Sequence, residues 1–183
     1  MANLWGKILK WTGWRVDITA PHLDKCIICV APHTSNWDFI IGLLAYRSLG
    51  RQANFLMKQF WFFWPLGCLM RKLGGIPVPA KGSKGELSRH LVEEFRHRSY
   101  MNLAVTPEGT RSRNAKWRRG FLYIAAGANV PILLGVIDYK NKDVIIRDSF
   151  TPTGDVDSDM AVVKQYYSRF PDAAKYPEKF TTD

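Results

Sequence analysis

Short apolar runs alternate with amphipathic stretches along the whole 183-residue chain. This alternation limits the fold most, because consecutive strand and helix units close into a sheet with helices packed on its faces. The plainest strand is CIICVA at 26 to 31, bounded by Lys25 and Pro32. A helix is expected from about Asn36 to Ser48, with Phe39, Leu43 and Tyr46 at helical spacing and Gly50 beyond its end. Further strands read at 53–57, 76–78, 101–105, 131–137 and 144–147, the last two joined as a hairpin. An irregular aromatic helix containing Pro65 is expected over 59–73. Ser83 and Glu86 form a capping box that opens a helix with Leu87, Leu91 and Phe95 in one row. A last helix covers about 157–169, and the polar tail from Pro171 reads as loose. No repeat or linker divides the chain. The expected class is therefore α/β, a single domain with a mixed, mostly parallel sheet flanked by helices.

A chain of this length buries roughly 70% of its unfolded surface without staples. Its three cysteines exclude a disulfide framework and suit a reducing compartment. No stretch at the N-terminus has the apolar core and cleavage site of a secretory signal, so a cytoplasmic protein is expected. An uncharged run does reach spanning length, Gly120 to Ile137, but Gly127, Asn129 and Pro131 break it into a short helix, a turn and a buried strand.

Charge is unevenly spread. The net charge is +10, and residues 47 to 119 alone carry 15 basic against 4 acidic groups. Such a field attracts nucleic acid, an anionic membrane surface or a phosphorylated substrate. The first 14 residues form a separate segment, an amphipathic helix with Leu4, Trp5, Ile8, Leu9 and Trp11 on one side and Lys7 and Lys10 on the other. That pattern fits an interfacial helix, and equally a terminal helix docked on the core of the domain at 15–183. In the run Phe60, Trp61, Phe62, Phe63, Trp64 consecutive rings cannot all face one core, so some must meet a ligand, a groove or lipid.

Cys26 and Cys29 make a C-x-x-C inside an apolar strand, where positions three apart point to opposite faces, so they read as buried small residues. No cluster of acidic, histidine or cysteine residues suggests a metal. His33 and Asp38 are separated by four residues in PHTSNWD. In one reading Ser35 and Asp38 are an S-x-x-D cap for the following helix. In the other, Asp38 takes the proton of one ring nitrogen of His33 and leaves the other as a base. Both can hold. No G-x-S-x-G elbow accompanies them, so the base would act on a substrate hydroxyl or on water. The loop Thr106 to Arg113 offers Gly109 for close backbone approach, hydroxyls including Thr110, and the guanidiniums of Arg111 and Arg113 for an anion.

A strand followed by His-x4-Asp, then Gly-Gly-Ile-Pro-Val at 74–78, Pro-Glu-Gly-Thr-Arg-Ser at 107–112 and Val-Pro-Ile at 130–132, resembles the glycerophospholipid acyltransferase family, the lysophosphatidate type. The likeness covers about residues 26 to 137. It implies a glycerol-3-phosphate acyltransferase-like fold. It also implies transfer of a fatty acyl group from acyl-CoA or acyl carrier protein to the hydroxyl of a lysophospholipid, by default lysophosphatidate, with no further cofactor. By this resemblance His33 is the general base and Asp38 its partner, while Glu108, Gly109, Thr110 and Arg111, with Lys58, bind the acceptor. The sequence departs from the family at Lys81, where an Arg usually ends the second motif, and at Leu134, where a proline is usual. The first change favours another acceptor, such as an aminolipid, with Lys81 and Arg113 as further anion contacts. The long N-terminal membrane segment of many relatives is reduced to the short helix. The expected partners are thus the lysolipid, the thioester and an anionic membrane, with the protein peripheral on the membrane's inner face. A basic nucleic-acid-binding module without catalysis is the alternative class. No nucleic-acid fold signature supports it, and nucleic acid is not an expected partner.

Overall fold

The computed structural model describes residues 3–78 and 84–183. In chain order the elements are α1 (Leu4–Trp11), β1 (Arg15–Ile18), β2 (Lys25–Val30), α2 (Trp37–Ser48), β3 (Asn54–Lys58), α3 (Leu66–Leu73), β4 (Gly75–Val78), α4 (Lys84–His97), β5 (Met101–Val105), α5 (Gly120–Ala128), β6 (Ile132–Asp138), β7 (Asp143–Phe150) and α6 (Val156–Tyr167). The strands form one seven-stranded sheet in the order β1-β7-β6-β2-β5-β3-β4. Strands β2 to β6 are mutually parallel, β7 runs antiparallel to β6, and β1 lies parallel to β7. The mixed, mostly parallel α/β sheet expected from the sequence is what the chain forms.

Burial on both sides explains why β2 reads as an unbroken apolar run rather than an alternating one. Ile27 and Cys29 belong to the large cluster under α4, α5 and α6. Cys26 and Ile28 face the other side with Tyr46 of α2. The two cysteines thus point to opposite faces, and burial pushes both thiols up to about 12, so neither serves as a thiolate near neutral pH. Helix α2 leaves β2 on one face of the sheet, and α5 leaves β5 on the other. The neighbouring carboxyl ends of β2 and β5 therefore diverge and open a crevice, where open α/β sheets bind ligands.

Three expectations change. The strand β1 was not foreseen, because it is short and carries Asp17. Ion pairs to β7 hold it, Arg15 Nε to Asp143 Oδ1 at 2.6 Å and Arg147 to Asp17. The aromatic stretch is not one helix. It divides into a single 3₁₀ turn at Gln59–Trp61 and α3, because Pro65 has no N–H to continue a ladder. The tail is not loose either. Ala173, Ala174 and Phe180 are buried in the main core, and Trp117 Nε1 donates to the Thr181 carbonyl at 3.1 Å. These contacts tie the tail to the basic loop after β5. Ser83 of the expected capping box lies outside the described residues.

Candidate active site

His33 sits in the loop that leaves β2, and the loop leaving β5 lies beside it because the two strands are parallel neighbours. His33 Nδ1 is 3.0 Å from Asp38 Oδ2. A carboxylate only accepts, so Nδ1 carries the proton and Nε2 keeps its lone pair. The imidazole retains 19% of its surface exposed while the Asp38 carboxyl retains 2%, so the free nitrogen can meet a substrate and the carboxylate cannot. Asp38 Oδ2 also accepts the Thr34 and Ser35 amides, each at 2.9 Å, and Oδ1 accepts the Tyr139 hydroxyl at 2.6 Å. Burial pushes the carboxyl up, but the hydrogen bonds from His33, Tyr139 and Ser35 outweigh it and leave Asp38 below the usual carboxylate range. Both sequence readings of PHTSNWD therefore hold in part. Asp38 reaches back to the Ser35 amide like the acid of a capping box, but Ser35 Oγ takes the Trp37 amide at 3.2 Å instead of that of Asp38.

Two bonds join the loops. Glu108 Oε1 accepts the backbone N–H of His33 at 2.6 Å, and Arg111 Nη1 donates to Asn36 Oδ1 at the start of α2. Around them the second loop ties itself. Gly109 has a φ of +66°, and a β-carbon there would collide with the Arg118 side chain, so a glycine is needed. Asn114 Nδ2 donates to the Glu108 carbonyl at 2.9 Å and to that of Lys116 at 3.0 Å.

Behind the pair lies a cavity of about 390 Å³ between α2 and the sheet, within the size range of small-molecule sites. His33 and Asp38 line it together with Tyr46 and apolar residues such as Val30, Phe55 and Ile146. Its space comes from small residues on its lining, Gly42 on the helix and Ala53, Ala104 and Gly135 on the sheet side. The pocket opens to the surface and its lining is mainly apolar.

A model of the family described as Acyltransferase matches residues 17–136, well over half of the chain. The chain belongs to the acyltransferase family. It is an acyltransferase enzyme. No curated protein matches it in sequence. Among solved structures it is similar to the 1-acyl-sn-glycerophosphate (LPA) acyltransferase PlsC from Thermotoga maritima. The TM-score is 0.63 at 20% identity, over 90% of this chain and 76% of that one, a likeness that shows a shared fold.

In this acyltransferase the described residues singled out by sequence fall into three groups. His33, Asp38, Glu108 and Arg111 are brought together by the bonds above. Gly109, Thr110 and Arg113 lie exposed in the same loop, with Thr110 Oγ1 accepting the Ser112 amide at 3.2 Å. Lys58 is exposed at the carboxyl end of β3, on the same edge of the sheet. Lys81 lies outside the described residues. Glu108 differs most from its expected place. It is 1% exposed and its carboxyl turns to the His33 backbone N–H rather than to solvent, so it ties the two loops together. Sequence reasoning missed Asn36 and Tyr139, and it missed the tail, whose Tyr176 amide donates to Thr34 Oγ1 at 3.2 Å and whose Lys175 ammonium lies over the Trp37 ring. No motif marks these residues. Their roles arise from chain crossings that spacing does not show.

Burial pushes the Glu108 carboxyl up to about 7, against the His33 amide bond, and the nearby charge of Asp38 adds to the rise. The folded state therefore holds this proton more tightly than the unfolded chain. The contribution of Glu108 to stability is fully present below the ordinary value of 4.5 and is lost as pH rises through about 7. That span is worth roughly 3 kcal/mol. Glu108→Gln keeps an acceptor for the His33 amide and removes the titration. Chemical denaturation at pH 5 and pH 8 is expected to show the wild type losing stability relative to Glu108→Gln as pH rises. A pH-independent difference between the two proteins would refute the assignment.

Proposed function

We propose that this acyltransferase moves a fatty acyl group from an acyl thioester, acyl-CoA or acyl carrier protein, to the hydroxyl of a lysophospholipid, with lysophosphatidate the default acceptor. The observation that carries the proposal is the His33–Asp38 pair lining the apolar cavity. An acyl chain seated between α2 and the sheet would bring its thioester carbonyl to His33. Nε2 then takes the proton of the acceptor hydroxyl as the oxygen attacks that carbonyl. The tetrahedral adduct collapses, the C–S bond breaks, and the imidazolium returns its proton to the leaving thiolate. Asp38 stays ionised and stabilises the imidazolium. In this reading Arg111, bonded to Asn36 at the start of the helix that carries Asp38, would grip the acceptor's anionic group.

The acceptor partitions into bilayers, and the surface around the site supports a peripheral position on a membrane. Helix α2 is apolar on its outer side as well, with Trp37 and Ile40 exposed. Helix α1 packs on it, burying Leu9 and leaving Leu4, Ile8 and Trp11 in solvent. The aromatic turn adds Phe60, Trp61, Phe63 and Trp64, of which Trp64 is 84% exposed. Exposed apolar patches of this kind, beside Lys and Arg, mark interfaces. Among the described residues no helix is long and apolar enough to cross a membrane.

The proposal is tested by incubating the protein with acyl-CoA and a mixed lysolipid panel, followed by mass spectrometry of the lipids. Wild type is expected to acylate lysophosphatidate, and folded His33→Ala to be slower by about 10²–10⁴-fold. Near-normal turnover by His33→Ala would remove the base, and acylation of an aminolipid alone would move the acceptor. Binding to anionic vesicles is expected to weaken with salt, since each nearby Lys or Arg contributes about 1 kcal/mol. It should also weaken in the double variant Trp11→Ser, Trp64→Ser at unchanged thermal stability. Equal co-sedimentation of variant and wild type at both salt concentrations would show that these rings do not meet lipid.

A further inference from the structure

Tyr139 stands in the turn between β6 and β7, beyond residue 136, where the family match ends. Its hydroxyl donates to Asp38 Oδ1 at 2.6 Å, while the donors from the His33 loop converge on Oδ2. The torsion that orients an aspartate carboxyl is soft. With Oδ2 alone engaged, the carboxylate could rock about its axis and carry the imidazole with it. A donor on Oδ1 fixes the plane. Tyr139 is itself held from three sides. Its backbone N–H donates to the Ala173 carbonyl at 2.8 Å. Its ring meets Trp14 edge-on at 5.2 Å. The side chain of Asp138 closes the turn by accepting the Lys140 and Asn141 amides.

We propose that Tyr139 is a positioning residue for acyl transfer, clamping the Asp38 carboxylate so that the His33 imidazole keeps Nε2 directed toward the acceptor. The inference rests on the reading of His33 as the base. Tyr139 reaches Asp38 because the β6–β7 turn comes over the start of α2, and the N-terminal segment and the tail supply the surfaces that fix its ring and backbone. Burial and the charge of Asp38 both raise the Tyr139 hydroxyl above its ordinary value, so it remains a donor throughout the neutral range. The titratable groups that face the pair are His33 and Glu108 on Asp38, and Tyr176 on Tyr139. Without the hydroxyl, charge concentrates on Asp38 and stabilises the imidazolium further, so the base becomes available only at higher pH.

Tyr139→Phe keeps the ring against Trp14 and removes only the donor. With acyl-CoA and lysophosphatidate as probes, kcat is expected to fall about 5- to 20-fold with KM for both within about twofold. The acid limb of kcat/KM should move up by about half a pH unit. Nitrogen-15 NMR of His33 supplies a readout that needs no substrate. The Nδ1 proton should exchange with solvent several-fold faster in Tyr139→Phe than in wild type. Tyr139→Leu, which also removes the ring, separates packing from the hydroxyl. If Tyr139→Phe matches wild type in rate, acid limb and Nδ1 exchange while Tyr139→Leu is impaired, Tyr139 is a packing residue and the proposal falls. If wild type does not acylate lysophosphatidate, the proposed acceptor fails while the NMR comparison still decides Tyr139. Unchanged exchange then overturns the clamp, and faster exchange upholds it.

Discussion

Glu108 at the exit of β5 accepts the backbone N–H of His33 at the exit of β2, and the rest of the site hangs on that bond. Parallel pairing brings the two strand ends together but does not fix how their loops meet. A buried carboxylate aimed at a backbone amide does, because leaving either group unpaired would cost on the order of 1–3 kcal/mol. The carboxyl is expensive to bury, as its upward shift to about 7 records. Arg111 closes the same gap from the solvent side through Asn36. His33 and Arg111 are thus set relative to one another by the loops' own side chains, which is the fixed geometry the proposed transfer between two substrates would need.

Helix α2 serves both sides of this arrangement. Its first turn holds Asp38, which gathers donors from the His33 loop and the β6–β7 turn. Its inner surface leaves space against the sheet, where Gly42, Ala104 and Gly135 are among the lining residues. Its outer surface stays apolar where a surface helix would ordinarily be polar. One helix therefore links the dyad, the cavity and the face proposed to meet lipid.

Much of this was legible in the sequence. The apolar run at 26 to 31, the helix over Asn36 to Ser48 and the broken stretch from Gly120 to Ile137 announce a parallel core, since strands buried on both faces lose their alternation. His33, Asp38 and Arg111 were legible because their spacing within two short loops is itself the signal. Glu108 was legible as a member of its motif but not in its role, since nothing local says whether a loop carboxylate points outward or into the neighbouring loop. The strand β1 and the packed tail were not legible. Both depend on partners more than a hundred residues away, Asp143 and Asp17 across β1 and β7, and Thr34 against Tyr176. Tyr139 shares that cause. A single tyrosine after a strand carries no pattern until the chain folds back over α2.

The most direct measurement is a crystal structure of the protein with a non-hydrolysable thioether analogue of acyl-CoA. The central claim is that the dyad works at the mouth of a cavity that takes the acyl chain. The account predicts the chain between α2 and the sheet, in contact with Gly42 and Ala104, with the atom replacing the thioester carbonyl carbon beside His33 Nε2. A chain lying across the outer aromatic residues, with the cavity unfilled and His33 untouched, would contradict it.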